Sequence, residues 1–235
     1  MKIEVWSDYA CPFCYIGKKE LEKAIESTGF QGKIDVAFKA YQLDPGAPAE
    51  VEGTIYSSLA KKFGSSEEQA KAQTAGIIAR AKEVGLNYDF EAMKLGNTFK
   101  AHRLAKFAGS VGKEKEMNER LLKAYFEEGA QLGNVDVLVA LAKEIGLEEQ
   151  AVREFLADDQ YATEVLSDIQ QASELGIQGV PFFVINEKYA ISGAQPTAVF
   201  EEAVKKVAEE EGLRPGLTMM GSGNAGVCAD GQCEI

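Results

Sequence analysis

Between about residue 54 and residue 175 this chain offers no convincing strand, whereas both of its ends read as β-structure. Lys2-Ile3-Glu4-Val5-Trp6 alternates apolar and polar side chains as a half-buried strand does, and Ile34, Val36 and Phe38 repeat the alternation. Between them, residues 15–25 carry apolar side chains at helical spacing. Strand, helix, strand within the first forty residues is a βαβ unit whose two strands run parallel. Two prolines and a glycine in residues 43–48 then end regular structure. At the other end, Val180-Pro181-Phe182-Phe183-Val184-Ile185 is the continuous apolar run of a strand buried on both faces. Asn186-Glu187-Lys188 turns it into Tyr189-Ala190-Ile191-Ser192 as a hairpin. Pro196, where a missing N–H costs nothing, opens a last helix with Val199, Phe200, Ala203, Val204 and Val207 on its apolar face.

The middle is helical throughout. Tyr56, Leu59, Ala60 and Phe63 form a helix stopping near Gly64, and Ser65 with Glu68 has the spacing of a capping box for the next, which carries Ile77, Ala81 and Val84. Further helices follow over residues 97–108 with Thr98, Ala101, His102 and Ala105 on one face, around Leu121, Leu122, Tyr125 and Phe126, and behind Asn134 as a cap. A short piece with Val152, Phe155 and Leu156 precedes one with Val165, Ile169 and Ala172 that ends at Gly176. The ends thus carry β-α-β and β-β-α, the element order of a thioredoxin fold with a large all-helical insertion, in the α/β class. The expected organisation is 1–53 and 176–210 for the two parts of the thioredoxin fold, 54–175 for the inserted helical domain, and 211–235 for a glycine-rich, flexible tail.

Cys11-Pro12-Phe13-Cys14 stands between the first strand and the first helix. This order puts a thiol at a helix N-terminus, where unpaired backbone N–H groups and the positive end of the dipole favour a thiolate. Such a thiol is activated and at least partly exposed. Cys11, nearest the helix end, is the expected nucleophile, and Cys14, one turn further in, resolves the mixed disulfide by attacking the Cys11 sulfur. Phe13 brings no positive charge, so the helix end is expected to supply most of the thiolate stabilisation.

The formal net charge of −12 leaves no basic excess to neutralise phosphates and argues against a nucleic-acid partner or an anionic membrane surface. No apolar run approaches the length of a spanning helix, and Met1-Lys2-Ile3-Glu4 leads straight into a strand with no secretory leader, so a cytoplasmic protein is expected. In a reducing compartment four cysteines point to redox or metal chemistry before structural staples. There is no phosphate loop and no dinucleotide glycine fingerprint, and no cofactor is expected beyond the dithiol itself, with glutathione a candidate reductant.

Val180-Pro181 reads, from the residues alone, as a trans proline starting a strand. Together, Cys11-Pro12-Phe13-Cys14, the helical insertion, Gly179-Val180-Pro181-Phe182-Phe183-Val184 and Ile191-Ser192-Gly193-Ala194-Gln195 resemble the DsbA-like thioredoxin family. Asn97-Thr98-Phe99-Lys100-Ala101-His102-Arg103-Leu104 further resembles its FrnE-type branch of dithiol-disulfide isomerases. The resemblance covers about residues 1–210. It implies a disulfide oxidoreductase or isomerase acting on protein or small-molecule disulfides, with Cys11 and Cys14 catalytic and Pro181 cis. Phe13, Val180 and Gln195 would line the substrate groove. Periplasmic DsbA has a histidine between its cysteines where this chain has Phe13, so strong oxidising power does not carry over. The same fold family includes kappa-class glutathione transferases and 2-hydroxychromene-2-carboxylate isomerase, which use a serine in place of Cys11; a glutathione-dependent isomerase or transferase is the alternative reading.

Three features remain. Cys228 and Cys233 lie in the tail and read either as an inert local pair or as a second dithiol exchanging with the first. A zinc site built from all four cysteines is a third reading, disfavoured because a proline loop facing Cys11 and Cys14 would crowd a metal. His102, the single histidine, falls on an apolar helix face and reads as a packed side chain before a proton acceptor near Cys11.

Overall fold

The computed structural model describes residues 1–216 together with two short strands, Cys228–Ala229 and Gln232–Cys233. The chain begins with strand β1 (Lys2–Ser7), helix α1 (Pro12–Ser27) and strand β2 (Asp35–Ala40). Seven helices follow: α2 (Ile55–Phe63), α3 (Glu67–Glu83), α4 (Phe99–Ser110), α5 (Glu114–Glu128), α6 (Val135–Glu144), α7 (Glu149–Ala157) and α8 (Ala162–Glu174). Strands β3 (Phe182–Ile185) and β4 (Tyr189–Ser192) then form a hairpin before helix α9 (Thr197–Glu210). The sheet order is β2-β1-β3-β4, with β1 parallel to β2 and antiparallel to β3. The two ends of the chain therefore meet at the β1–β3 pair, where Val5 lies opposite Phe183. This is the mixed sheet of a thioredoxin fold.

Which strand is buried on both faces differs from what the residues predict. β1 alternates in sequence, yet it is the inner strand between β2 and β3, and Glu4 is buried along with Ile3, Val5 and Trp6. The carboxylate of Glu4 is tolerated there because Lys2 and Lys39 reach it at 2.9 and 3.7 Å. β3, the uniform apolar run, buries Phe183 and Ile185 on one face and leaves Phe182 and Val184 half-buried on the other. Ile3, Val5, Phe183 and Ile185 pack against α1 and α9 through Leu21, Ala24, Phe200 and Val204. Trp6 turns to the opposite face, packs with Ala172 and Ile177, and donates its indole N–H to the Asp168 carbonyl at 3.0 Å.

Helix ends follow side-chain chemistry, with two shifts of one residue. Asn134 caps α6 by accepting from the Val137 N–H, and Gly64 ends α2 in the left-handed region at φ 65°. The capping box of α3 uses Ser66 and Gln69 instead of Ser65 and Glu68, and Pro196 is the N-cap of α9 instead of its first residue. The helical segment owns the larger core, which also takes in Tyr9, Tyr15 and Ile16 from around the cysteines. Within it Tyr88 stacks on Phe126 at 4.7 Å and on Tyr15 at 6.3 Å. The two tail strands pair with each other, antiparallel, with Cys228 opposite Cys233.

Candidate active site

β1 ends at Ser7, and the chain makes one tight turn before α1 begins at Pro12. Asp8 shapes that turn: its carbonyl accepts from the Cys11 N–H at 3.1 Å and its carboxylate from the Ala10 N–H at 3.3 Å. Cys11 is thereby the N-cap of α1 in an extended conformation, and Pro12 occupies the first turn, where its missing N–H leaves nothing unpaired. Tyr88 fixes the turn from the helical side, donating its hydroxyl to the Pro12 carbonyl at 2.7 Å.

Across from Cys11 lies the loop ahead of β3. The Val180–Pro181 peptide is cis, as the resemblance implies and against the trans step read from the residues alone. The Cys11 Sγ is 3.4 Å from the Val180 carbonyl oxygen. The loop approaches this closely because α1 has no side chain at Gly17, against which Pro181 and Phe183 pack. With this cover, Cys11 is 5% exposed, so the expectation of a partly exposed thiol is corrected; Cys14 is 2% exposed.

The two thiols are electrostatically unequal. Hydrogen bonding from Cys14 holds the Cys11 thiol below its ordinary value, against the opposing effect of burial, and the N–H groups of Cys14 and Phe13 at the helix end add to the lowering. The neighbouring thiol is the largest single contribution, and the helix end acts beside it through two N–H groups. Burial, and then the adjacent Cys11 sulfur, push Cys14 well above the ordinary thiol range. One sulfur is prepared to be an anion and the other to hold its proton. That division suits attack by Cys11 and delayed resolution by Cys14.

Phe13, Val180, Pro181 and Gln195, named from three separate stretches of the sequence, line one groove of about 570 Å³. Glu20, Glu83, Gly193, Ala194 and Pro196 complete it with Arg80. Gln195 is tied into its own turn, donating from its side-chain amide to the Ser192 carbonyl at 2.8 Å. Arg80 donates to the Ala194 carbonyl, and its guanidinium lies 5.9 Å from the centre of the Phe13 ring. Arg80 of α3 thus sets a positive charge in the groove wall beside Phe13. Nothing in the local sequence around Arg80 marks it, because its partners are about 70 and 114 residues away along the chain.

His102 is buried on α4 and faces Asp8, with Nε2 3.4 Å from Oδ1, not Cys11. Among the described residues no three His, Cys, Asp or Glu side chains gather as metal ligands do. The four-cysteine zinc reading and the second dithiol both need Cys228 and Cys233, whose side chains lie outside the described residues; their backbones pair directly across the small ladder. Among the described residues no helix is long and apolar enough to cross a membrane.

Comparison with known proteins places this geometry in context. A family model, DSBA-like thioredoxin domain, matches residues 2–205. A probable DsbA oxidoreductase from Streptomyces coelicolor is 35% identical and superposes with a TM-score of 0.83 over 100% of this chain and 99% of that one. The Bacillus subtilis protein YwbO is 29% identical over 204 residues, 86% of this chain and 94% of that protein. A 2-hydroxychromene-2-carboxylate isomerase, at 16% identity and a TM-score of 0.70 over 90% of this chain and 98% of that one, shares the fold.

Proposed function

The chain belongs to the DSBA-like thioredoxin domain family, and from that premise we propose that it is a thiol–disulfide oxidoreductase working through Cys11 and Cys14. The Cys11 thiolate attacks a disulfide in a protein or small molecule, forming a mixed disulfide and expelling one substrate thiolate. Cys14 then attacks the Cys11 sulfur, expels the second substrate thiolate and leaves a Cys11–Cys14 disulfide. The observation that carries this reading is the placement of Cys11 as the N-cap of α1, one turn before Cys14, with its Sγ 3.4 Å from the Val180 carbonyl; the opposite bias of the two thiols supports it.

Substrate backbone lies in the groove between Phe13 and the Val180–Pro181 step, where an extended segment can pair with exposed backbone as an added strand does. The fold is shared with an isomerase, so it does not choose the chemistry; the retained Cys11/Cys14 pair favours dithiol exchange. In the cytoplasm, where glutathione keeps ordinary dithiols largely reduced, reduction or isomerisation of substrates is favoured over net oxidation, in keeping with a FrnE-type enzyme. Glutathione is the candidate reductant, and no bound cofactor is required.

Cys228 and Cys233 enter the proposal as a second dithiol that exchanges with Cys11 and Cys14. Directly opposite positions in an antiparallel ladder have Cα separations that a disulfide spans. The proposal is tested by insulin-disulfide reduction. The wild type is expected to reduce insulin and Cys11→Ser to lose the activity; equal activity in the two overturns it.

A further inference from the structure

His102 is the only histidine of the chain, it is buried, and no step proposed above uses it. Its Nε2 has no hydrogen-bond partner of good geometry, yet it points at the Asp8 carboxylate 3.4 Å away. Asp8 is 1% exposed. Its Oδ1 accepts from the Ala10 N–H and its Oδ2 from the Leu43 N–H at 2.8 Å, while its carbonyl holds the Cys11 N–H. A carboxylate this deep survives only with such donors. It lies within one turn of chain from the attacking sulfur.

We propose that Asp8 and His102 form a buried positioning pair that sets the proton affinity of the Cys11 thiol. Asp8 fixes the turn that presents Cys11 and puts a negative charge beside it, and His102 offsets that charge. The inference rests on the reading of Cys11 as the nucleophile. Its electrostatics are consistent: burial favours the neutral acid at Asp8, but His102 and the backbone donors hold the carboxyl below its ordinary range, and its charge opposes the Cys11 thiolate.

Thr98, just ahead of α4, bonds to the Asp8 carboxylate, Tyr125 faces Asp8 from α5, and Cys14 and Tyr88 stand on the Cys11 side of the pair. The Tyr9 ring lies tilted against the His102 ring, centres 4.7 Å apart, and donates its hydroxyl to Asn118 at 2.6 Å. His102 also borders a cavity of about 10 Å³, the size of one water, whose charged lining is Lys39, Lys106 and Glu114. Burial pushes Tyr9, Tyr88 and Tyr125 upward, so these phenols stay neutral. Asp8 is then the carboxylate adjoining Cys11 whose charge His102 can modulate.

The test is the pH dependence of Cys11 alkylation by iodoacetamide in full-length protein carrying Cys14, with the Cys228/Cys233 pair replaced by serine. Asp8→Asn keeps one acceptor oxygen and removes the charge, so its midpoint moves down. His102→Leu removes the compensating donor and moves the midpoint up, while His102→Gln, with an amide N–H, returns it toward wild type. Shifts of about half a unit to one unit are expected, a three- to tenfold change in thiolate fraction below the midpoint. In the Asp8→Asn background, His102→Leu should add nothing. A His102→Leu shift of the same size with and without Asp8, or both single variants moving the same way, overturns the proposal. If His102→Leu does not fold, an Asp8→Asn midpoint that stays put or rises overturns it alone. A wild-type midpoint at the ordinary thiol value contradicts the nucleophile assignment and this inference with it, whereas a depressed midpoint unmoved by the variants contradicts this inference only.

Discussion

A methyl group placed on Gly17 would sit 3.1 Å from the Pro181 ring and 3.1 Å from the Phe183 ring, so the absence of a side chain at Gly17 is what lets the proline loop lie against α1. This contact sets how closely Val180 approaches Cys11. Replacing Gly17 with Val is expected to destabilise the fold by about 1–3 kcal/mol through overpacking. It should also slow disulfide turnover, because Pro181 must back away from the helix. Urea unfolding and insulin reduction measure the two effects; a variant unchanged in both would show that the approach of the loop does not depend on Gly17.

Glu119 joins α5 to the active-site helix. Its carboxylate accepts from Tyr15 Oη and Lys19 Nζ, each at 2.7 Å, and pairs with the buried Lys18. Burial works against the anion, but the lysines and the tyrosine prevail and hold the carboxyl down to about 2. A folded-state value below the unfolded one stabilises the protein above about 4.5, and that stability is lost as pH falls toward 2. The full shift would correspond to about 3 kcal/mol. Because the side chain is 36% exposed, solvent screening reduces this to about 1–2 kcal/mol. Glu119→Gln should lose that amount at neutral pH and flatten the decline in stability below pH 4.5, as read by urea midpoints across pH; a parallel decline in variant and wild type contradicts the assignment.

Arg80 connects the helical segment to the groove proposed for substrate through Ala194 and Phe13. Arg80→Ala should raise KM for peptide disulfides about three- to tenfold, corresponding to about 0.7–1.4 kcal/mol of binding, and leave kcat within twofold. Steady-state kinetics on a fluorescent disulfide peptide separate the two constants. A loss confined to kcat would assign Arg80 to the reacting sulfurs instead of to binding.

Removal of the chain from Val227 onward deletes Cys228 and Cys233. The exchange proposed for this pair predicts that single-turnover reduction of a substrate by Cys11 and Cys14 proceeds at the wild-type rate. Recycling of the oxidised active site should slow several-fold. Stopped-flow tryptophan fluorescence, using the buried Trp6, follows the first step and mass spectrometry of alkylated cysteines the second. Unchanged recycling removes the tail from the mechanism.

Much of the fold is legible in the sequence because it is written in local patterns. The helical stripes, the Asn134 cap and the turn at Asn186-Glu187-Lys188 each depend on residues a few positions apart. The assignment of strands to inner and outer positions is not local. Glu4 looks like an exposed strand residue until β2 and β3 close on either side and Lys2 and Lys39 pair with it. At the site, Cys11, Cys14, Phe13, Val180, Pro181 and Gln195 were accessible through motif and resemblance. Asp8, Gly17, Arg80 and Tyr88 were not, since each acts through a partner that only the folded chain brings near. His102 was visible as a residue but not as the partner of Asp8.

If Cys11 attacks and Cys14 resolves, removing Cys14 strands the mixed disulfide on Cys11. The decisive measurement takes full-length Cys14→Ser protein, incubates it with a disulfide substrate, quenches in acid and analyses the proteolysed product by mass spectrometry. The predicted result is a substrate covalently held on Cys11 by a disulfide, absent from Cys11→Ser and Cys11→Ser/Cys14→Ser controls. An adduct on another cysteine, or none on Cys11 under conditions in which the wild type reduces the substrate, would contradict it.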